Sequence, residues 1–174
     1  GGITIGIIAS AIYIQRKALP IWKVLDAITP LLAIFAVGIG FAHLSSGTAY
    51  GMPTHLPWAI SLWGQNRHPT QIYEITLAIL VLWLTIPLPK IKFKNIENFM
   101  CQSSGMRFLV FGTLSLLSRI FLEGFRGDSP LIFGGYRTIQ LISWSGLVVF
   151  FFIIDKKLRF SQNSLSTQEH GGKI

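Results

Sequence analysis

Charge, acidic charge above all, is what this chain has least of. Seven Asp and Glu face fifteen Lys and Arg, and charged residues of both signs make up only 13% of its 174 positions. With 51% hydrophobic residues and a mean hydropathy of +0.54, that scarcity excludes an ordinary soluble domain. Cysteine is reduced to Cys101, so no disulfide can form within the chain, and no histidine lies near it in sequence to activate a catalytic thiol. The four histidines, His43, His55, His68 and His170, have neither each other nor acidic partners at metal-ligand spacing, so no metal and no cofactor is expected. The opening has no basic n-region and no small-residue cleavage site, which argues against a signal peptide.

What is present is apolar length. Five apolar segments, residues 3–14, 27–44, 72–88, 108–122 and 139–154, punctuate the chain, and all but the first approach the roughly 20 residues that a spanning helix needs. The expectation is an all-α, polytopic helical membrane protein with about five spans. The net charge of +8 is distributed in a way that does not suggest nucleic acid. Eleven of the fifteen basic residues fall after segment one (Arg16, Lys17, Lys23), between segments three and four (Lys90, Lys92, Lys94, Arg107) and after segment five (Lys156, Lys157, Arg159, Lys173). If the segments alternate, these lie on one side, which the positive-inside rule makes cytoplasmic. The C-terminus is then cytoplasmic, and any chemistry opens to the extracytoplasmic side of a cell membrane.

Residues 1–160 read as one transmembrane helical domain, and 161–174 as a polar, disordered cytoplasmic tail. The outer connection 45–71 holds Gly47, Gly51, Pro53, Pro57, Gly64 and Pro69, which rule out a continuous helix, with Tyr50, Trp58 and Trp63 suited to a membrane interface. The second outer connection, 124–138, is again rich in turn formers.

Three clusters carry candidate chemistry. In RIFLEGFR, Arg119 lies 13 residues past Met106, about 20 Å into a hydrocarbon layer of about 30 Å. Glu123 and Arg126, four and seven residues further on, share its helical face. Either the charges pair with one another, or a guanidinium remains to bind two phosphate oxygens. In RHPTQIYE, Pro69 marks the passage from loop to helix and puts Glu74 in the first turns. This is either a capped helix entry or a polar mouth formed by His68, Gln71, Tyr73 and Glu74. In GIGFAHLSSGTAYG, small residues permit close helix contact, and the segment ends in polar His43, Ser45, Ser46 and Thr48. Gln140 is a further candidate for lining the same cavity.

In order, the stretches DAITP, GTAYGMPT, RHPTQIYE, RIFLEGFR and QLIS resemble the prolipoprotein diacylglyceryl transferase family from Gly1 to about Lys157. The resemblance implies a seven-helix membrane fold of which this chain lacks the first helices. It also implies transfer of the diacylglyceryl group of phosphatidylglycerol to the lipobox cysteine thiol of a secreted prolipoprotein, with release of glycerol phosphate. The partners it implies are that phospholipid, the prolipoprotein and the membrane, with no nucleic acid. By the same resemblance Arg119 and Glu123 flank the headgroup, and His68, Gln71, Tyr73 and Glu74 shape the mouth of the lipid cavity; Arg126, Gln140, Gly47 and Tyr50 are further candidates for substrate binding. His43 becomes an altered polar group at the catalytic centre.

The chain also departs from the family pattern. Of the family signature only Gly47, Tyr50 and Gly51 remain. Gly40 falls where the signature has a phosphate-binding arginine, His43 and Ser46 replace asparagines, and Thr48 replaces a glutamate. Ser115 stands where a tyrosine is usual. The family's catalytic histidine would fall just before Gly1. A catalytically inactive relative that holds a lipid or a membrane partner is the alternative.

Overall fold

The computed structural model describes residues 1–86, 98–100, 103–129, 131–132 and 136–171. Cys101, Lys90, Lys92, Lys94 and Lys173, weighed above, lie outside the described residues.

Five longer helices are present among the described residues, and they overlap the five apolar segments. They are α1 (Gly2–Arg16), α2 (Ile21–Ser46), α3 (Thr70–Thr85), α4 (Met106–Glu123) and α5 (Thr138–Gly171). Two contain a stretch both long and apolar enough to cross a bilayer. One is α2, with mean hydropathy 2.1, and the other is Thr138–Phe160 of α5, at 1.8. α3 is apolar but shorter. The backbone of α5 stays helical to Gly171, although its apolar span stops at Phe160, where the polar composition begins.

The helix boundaries follow local chemistry. Pro20 precedes α2, and Gly47, with φ +68°, closes it in the left-handed conformation. Pro69 precedes α3, as its position in RHPTQIYE predicts. α4 is capped from a distance: the Asp26 carboxylate of α2 accepts hydrogen bonds from the backbone N–H groups of Gly105 and Phe108, 3.0 Å for the latter, at the positive end of the helix dipole.

α2 lies along α3, α3 against α4, and α4 along α5, while α1 packs closely on none of them. The α2–α3 contact is tight because Gly40 has no side chain. A Cβ there would stand 2.8 Å from Ile75 Cγ1. Burial is inverted relative to a soluble bundle. Thr29, Gln71, Glu74, Thr85, Glu123 and Ser143 are buried, whereas Leu31, Phe35, Val148 and Phe152 are 67–69% exposed.

The connections 45–71 and 124–138 each hold a short antiparallel strand pair among the described residues. In the first, β1 (Ile60–Leu62) pairs antiparallel with β2 (Gln65–Arg67) through a two-residue turn, Trp63-Gly64, in which both φ angles are positive. In the second, β3 (Leu131–Ile132) pairs antiparallel with β4 (Tyr136–Arg137).

Candidate active site at the outer ends of three helices

The three sequence clusters meet in space because their backbones are stitched together. The His68 N–H donates to Met52 O, the Met52 N–H to Phe125 O, and the Gly127 N–H to Tyr50 O. Side chains of the α3 entry complete the seam: Thr70 Oγ1 donates to Ala49 O at 2.6 Å, and Gln71 Nε2 to Thr48 O at 2.9 Å. Gly51 sits at the crossing, where an added Cβ would stand 2.4 Å from the His68 carbonyl oxygen. Arg67 spans the same region, its guanidinium 4.8 Å above the Tyr50 ring and its Nε donating to Leu62 O.

On this platform Glu74 joins two other helices. One oxygen lies 2.7 Å from His43 Nδ1 of α2, and the other 3.0 Å from Arg119 Nη1 of α4. A carboxylate with both oxygens engaged fixes the imidazole ring and leaves its Nε2 without a hydrogen bond among the described residues. Arg119 spends one of its donors on Glu74 and stays 36% exposed, so its fork retains N–H groups for a further anion. Beneath the pair is a cavity of about 70 Å³ walled by small and apolar side chains, among them Ala33, Ala36, Ala78, Ser115 and Ser118. Ser115 thus faces the space beside Arg119. Gln140, expected at the same cavity, is not among the residues lining it.

A larger recess of about 390 Å³ opens on the other side of Tyr73, lined by Trp58, His68, Tyr73, Phe121 and Phe125. The His68 ring packs edge-on against Phe125 and Tyr73, at centroid distances of 5.4 and 6.5 Å. Its Nδ1 is buried with no hydrogen-bond partner among the described residues. Trp58 Nε1 donates to the Tyr73 hydroxyl at 2.9 Å and so closes the rim.

The charges of RIFLEGFR do not act as one unit, contrary to their spacing. α4 ends at Glu123, Arg126 lies past that end, and Arg119 takes its carboxylate from α3. Glu123 is fully buried in a second cluster, with Arg126 Nε and Arg137 Nη1 each at 3.8 Å and the Ser129 hydroxyl donating to it. Arg126 is held in bidentate fashion by Asp128, at 3.0 and 3.2 Å, and Arg137 Nη1 also donates to Arg126 O. Burial works to lower the Arg126 pKa, but the hydrogen bond and charge of Asp128, with Glu123 and Glu74 behind it, outweigh burial and raise it above its ordinary value. Two guanidiniums and two carboxylates make this a closed electrostatic unit.

Of the sequence candidates, the structure therefore brings His43, Glu74 and Arg119 into one contact set. His68, Tyr73 and Gln71 stand beside it, Gly47 and Tyr50 belong to the supporting loop, and Glu123 and Arg126 form a neighbouring unit. Ser129 and Arg137 as partners of Glu123, and Asp128 as the partner of Arg126, were not among the sequence candidates, although Asp128 two residues after Arg126 is a visible local signal. The His43–Glu74 pair, 31 residues apart, has no such signal. Among the described residues, no three His, Cys, Asp or Glu side chains converge to hold a metal.

The profile of the family described as prolipoprotein diacylglyceryl transferase matches residues 1–154. Curated relatives bearing the name phosphatidylglycerol–prolipoprotein diacylglyceryl transferase are similar to the chain. The Finegoldia magna protein is 35% identical over 143 residues, covering 82% of this chain and 54% of the relative. The Trichormus variabilis protein is 30% identical over 160 residues, covering 86% and 55%. The Prochlorococcus marinus protein (strain MIT 9211) is 28% identical over 191 residues, covering 98% and 62%. The chain thus spans roughly half to three-fifths of the length of these relatives. No solved structure matches it.

Proposed function

Since the chain belongs to the prolipoprotein diacylglyceryl transferase family, we propose that the whole protein transfers a diacylglyceryl group from a phosphatidylglycerol-like phospholipid to the cysteine thiol of a secreted prolipoprotein. The observation that carries this reading is the shared carboxylate of Glu74, which presents one histidine and one arginine at a cavity between three helices. In this reading Arg119 binds the phosphodiester and takes up the charge that grows on the leaving phosphate. The thiol gives its proton to His43 Nε2, the thiolate sulfur bonds to the terminal diacylglyceryl carbon, and the carbon–oxygen bond to phosphate breaks. Glycerol phosphate departs with that electron pair. Glu74 does not react. It holds the imidazole tautomer and stabilises the imidazolium once formed.

The surroundings are those of a multi-pass membrane protein with about five spans in this chain, lying in the cell membrane of a bacterium with the site toward the extracytoplasmic side. Exposed Leu31, Phe35, Val148 and Phe152 beside a polar interior support immersion in lipid. The aromatic recess of Trp58, Tyr73 and Phe125 suits the interfacial part of a lipid entering sideways.

The test is a lipobox peptide incubated with membranes containing the full-length protein and followed by mass spectrometry. Gain of a diacylglyceryl mass that disappears in Arg119→Ala supports the reading, and no gain sinks it for this acceptor. One observation favours the inactive alternative. At Gly40, where the family signature has an arginine, Ile75 leaves no room even for a Cβ, so Arg119 has no second arginine from that position.

A further inference from the structure

At the opposite end of the bundle from Glu74, the starts of α2 and α4 meet the polar end of α5 around an open depression of about 410 Å³. It is lined by Lys23, Asp26, Met100, Ser103, Ser104 and Arg107. Asp26, the one acid among the described residues lining the depression, is committed to the N-terminus of α4 through Gly105 and Phe108. Lys157 of α5 closes one side: its Nζ donates to Ser104 O at 2.6 Å and stands 4.1 Å above the Trp22 ring. Arg107, by contrast, has no ion pair among the described residues, and its Nε is buried there with no hydrogen-bond partner. An orphaned guanidinium nitrogen is costly unless a further group satisfies it. Lys23 is exposed next to it and likewise unpaired among the described residues.

We propose that this depression is a second, non-catalytic site for a phosphate-bearing headgroup, occupied by an anionic phospholipid of the leaflet opposite the transfer site. Arg107 and Lys23 bind the phosphate, the Ser103 and Ser104 hydroxyls can complete its oxygens, and the acyl chains run along the exposed apolar flank of α2. A basic pocket between helices at the membrane surface is how such headgroups are recognised. A lipid source is favoured over free phosphate because exposed Ile21, next to Trp22, and Phe99 offer apolar surface beside the charges. The proposal rests on the reading of the chain as membrane-spanning and not on the transfer reaction.

Its test uses full-length protein in detergent, examined by native mass spectrometry during titration with phosphatidylglycerol, with phosphatidylcholine of the same chains, and with inorganic phosphate. The Arg119→Gln background removes the transfer-site phosphate contact. In that background one phosphatidylglycerol should remain bound, and adding Lys23→Gln and Arg107→Gln should weaken it about tenfold. Phosphatidylcholine and inorganic phosphate should not occupy the site. Unchanged binding in the triple variant, equal binding of phosphatidylcholine, or capture of phosphate alone each overturns the proposal. Should the variants fail to fold, a photoreactive phosphatidylglycerol on the unmodified protein decides: labelling at residues 22–26, 98–100 or 103–107 supports the site, and labelling confined elsewhere refutes it. Equal phosphatidylglycerol binding by the unmodified protein and the Arg119→Gln variant would count against the transfer reading and leave this one standing.

Discussion

Glu74 and Glu123 are both buried carboxylates facing arginine, yet their surroundings assign them different work. Glu74 borders a cavity and divides its oxygens between His43 and Arg119. Glu123 does not line that cavity and neutralises Arg126 and Arg137 inside a second cluster. Glu74→Gln keeps the shape but replaces one acceptor by an NH2 group, so it can no longer hold both cationic partners. In the full-length protein its expected effect is a loss of transfer of about 100-fold with little change in thermal unfolding. Glu123→Gln leaves two guanidiniums under-compensated in a buried site, a change of about 3–5 kcal/mol in stability when such a pair is broken. It should lower the unfolding temperature clearly in a detergent melt. If the two variants behaved alike in both assays, the division drawn between the clusters would fail. Gly51→Ala is a third residue-level test. Its Cβ would stand 2.4 Å from a backbone oxygen that cannot swing away, and overpacking of that kind costs about 1–3 kcal/mol.

At the scale of elements, the helices were readable and their mutual contacts were not. Five apolar runs became five helices because apolar length is a one-dimensional property, and Pro69 announced the start of α3 through its fixed φ. The hairpin β1–β2 escaped notice because its turn carries Trp63 at φ +55°, where Asn, Asp or Gly is the usual signal. Spacing also misplaced the partner of Arg119. An i to i+4 neighbour is always visible in sequence, whereas Glu74 reaches Arg119 only because α3 packs against α4. The cap on α4 is a similar long-range device: Asp26 belongs to α2 and serves the N-terminus of a helix eighty residues later. Asp26→Asn retains an acceptor but removes the negative charge from the positive end of the helix dipole. It should cost about 1 kcal/mol. Hydrogen exchange should then speed up in the first turn of α4 while α3 remains protected. Uniform loosening of both helices would mean that Asp26 does something other than cap.

For the whole molecule, the distribution of charge is what the proposed orientation rests on. Arg16, Lys17, Lys23, Arg107, Lys156, Lys157 and Arg159 belong to the end that carries the Asp26 cap, and the end that carries Glu74 has its arginines engaged with carboxylates or carbonyls. Lys and Arg flanking apolar segments resist translocation, so the proposed topology has the Asp26 end cytoplasmic and the Trp63-Gly64 turn extracytoplasmic. That orientation is what a transferase acting on secreted prolipoproteins requires, since both the acceptor thiol and the arginine must face the same compartment. It can be measured without any assumption about activity. With Cys101 replaced by serine, a cysteine at Gly64 should react with a membrane-impermeant maleimide added to intact cells, and one at Lys17 should react only after the cells are opened. The reverse pattern would put Arg119 and His43 on the cytoplasmic side and remove the transfer reading, however well the geometry fits. Labelling of both positions from outside would instead contradict α2 as a membrane span, because Lys17 and Gly64 lie beyond its two ends.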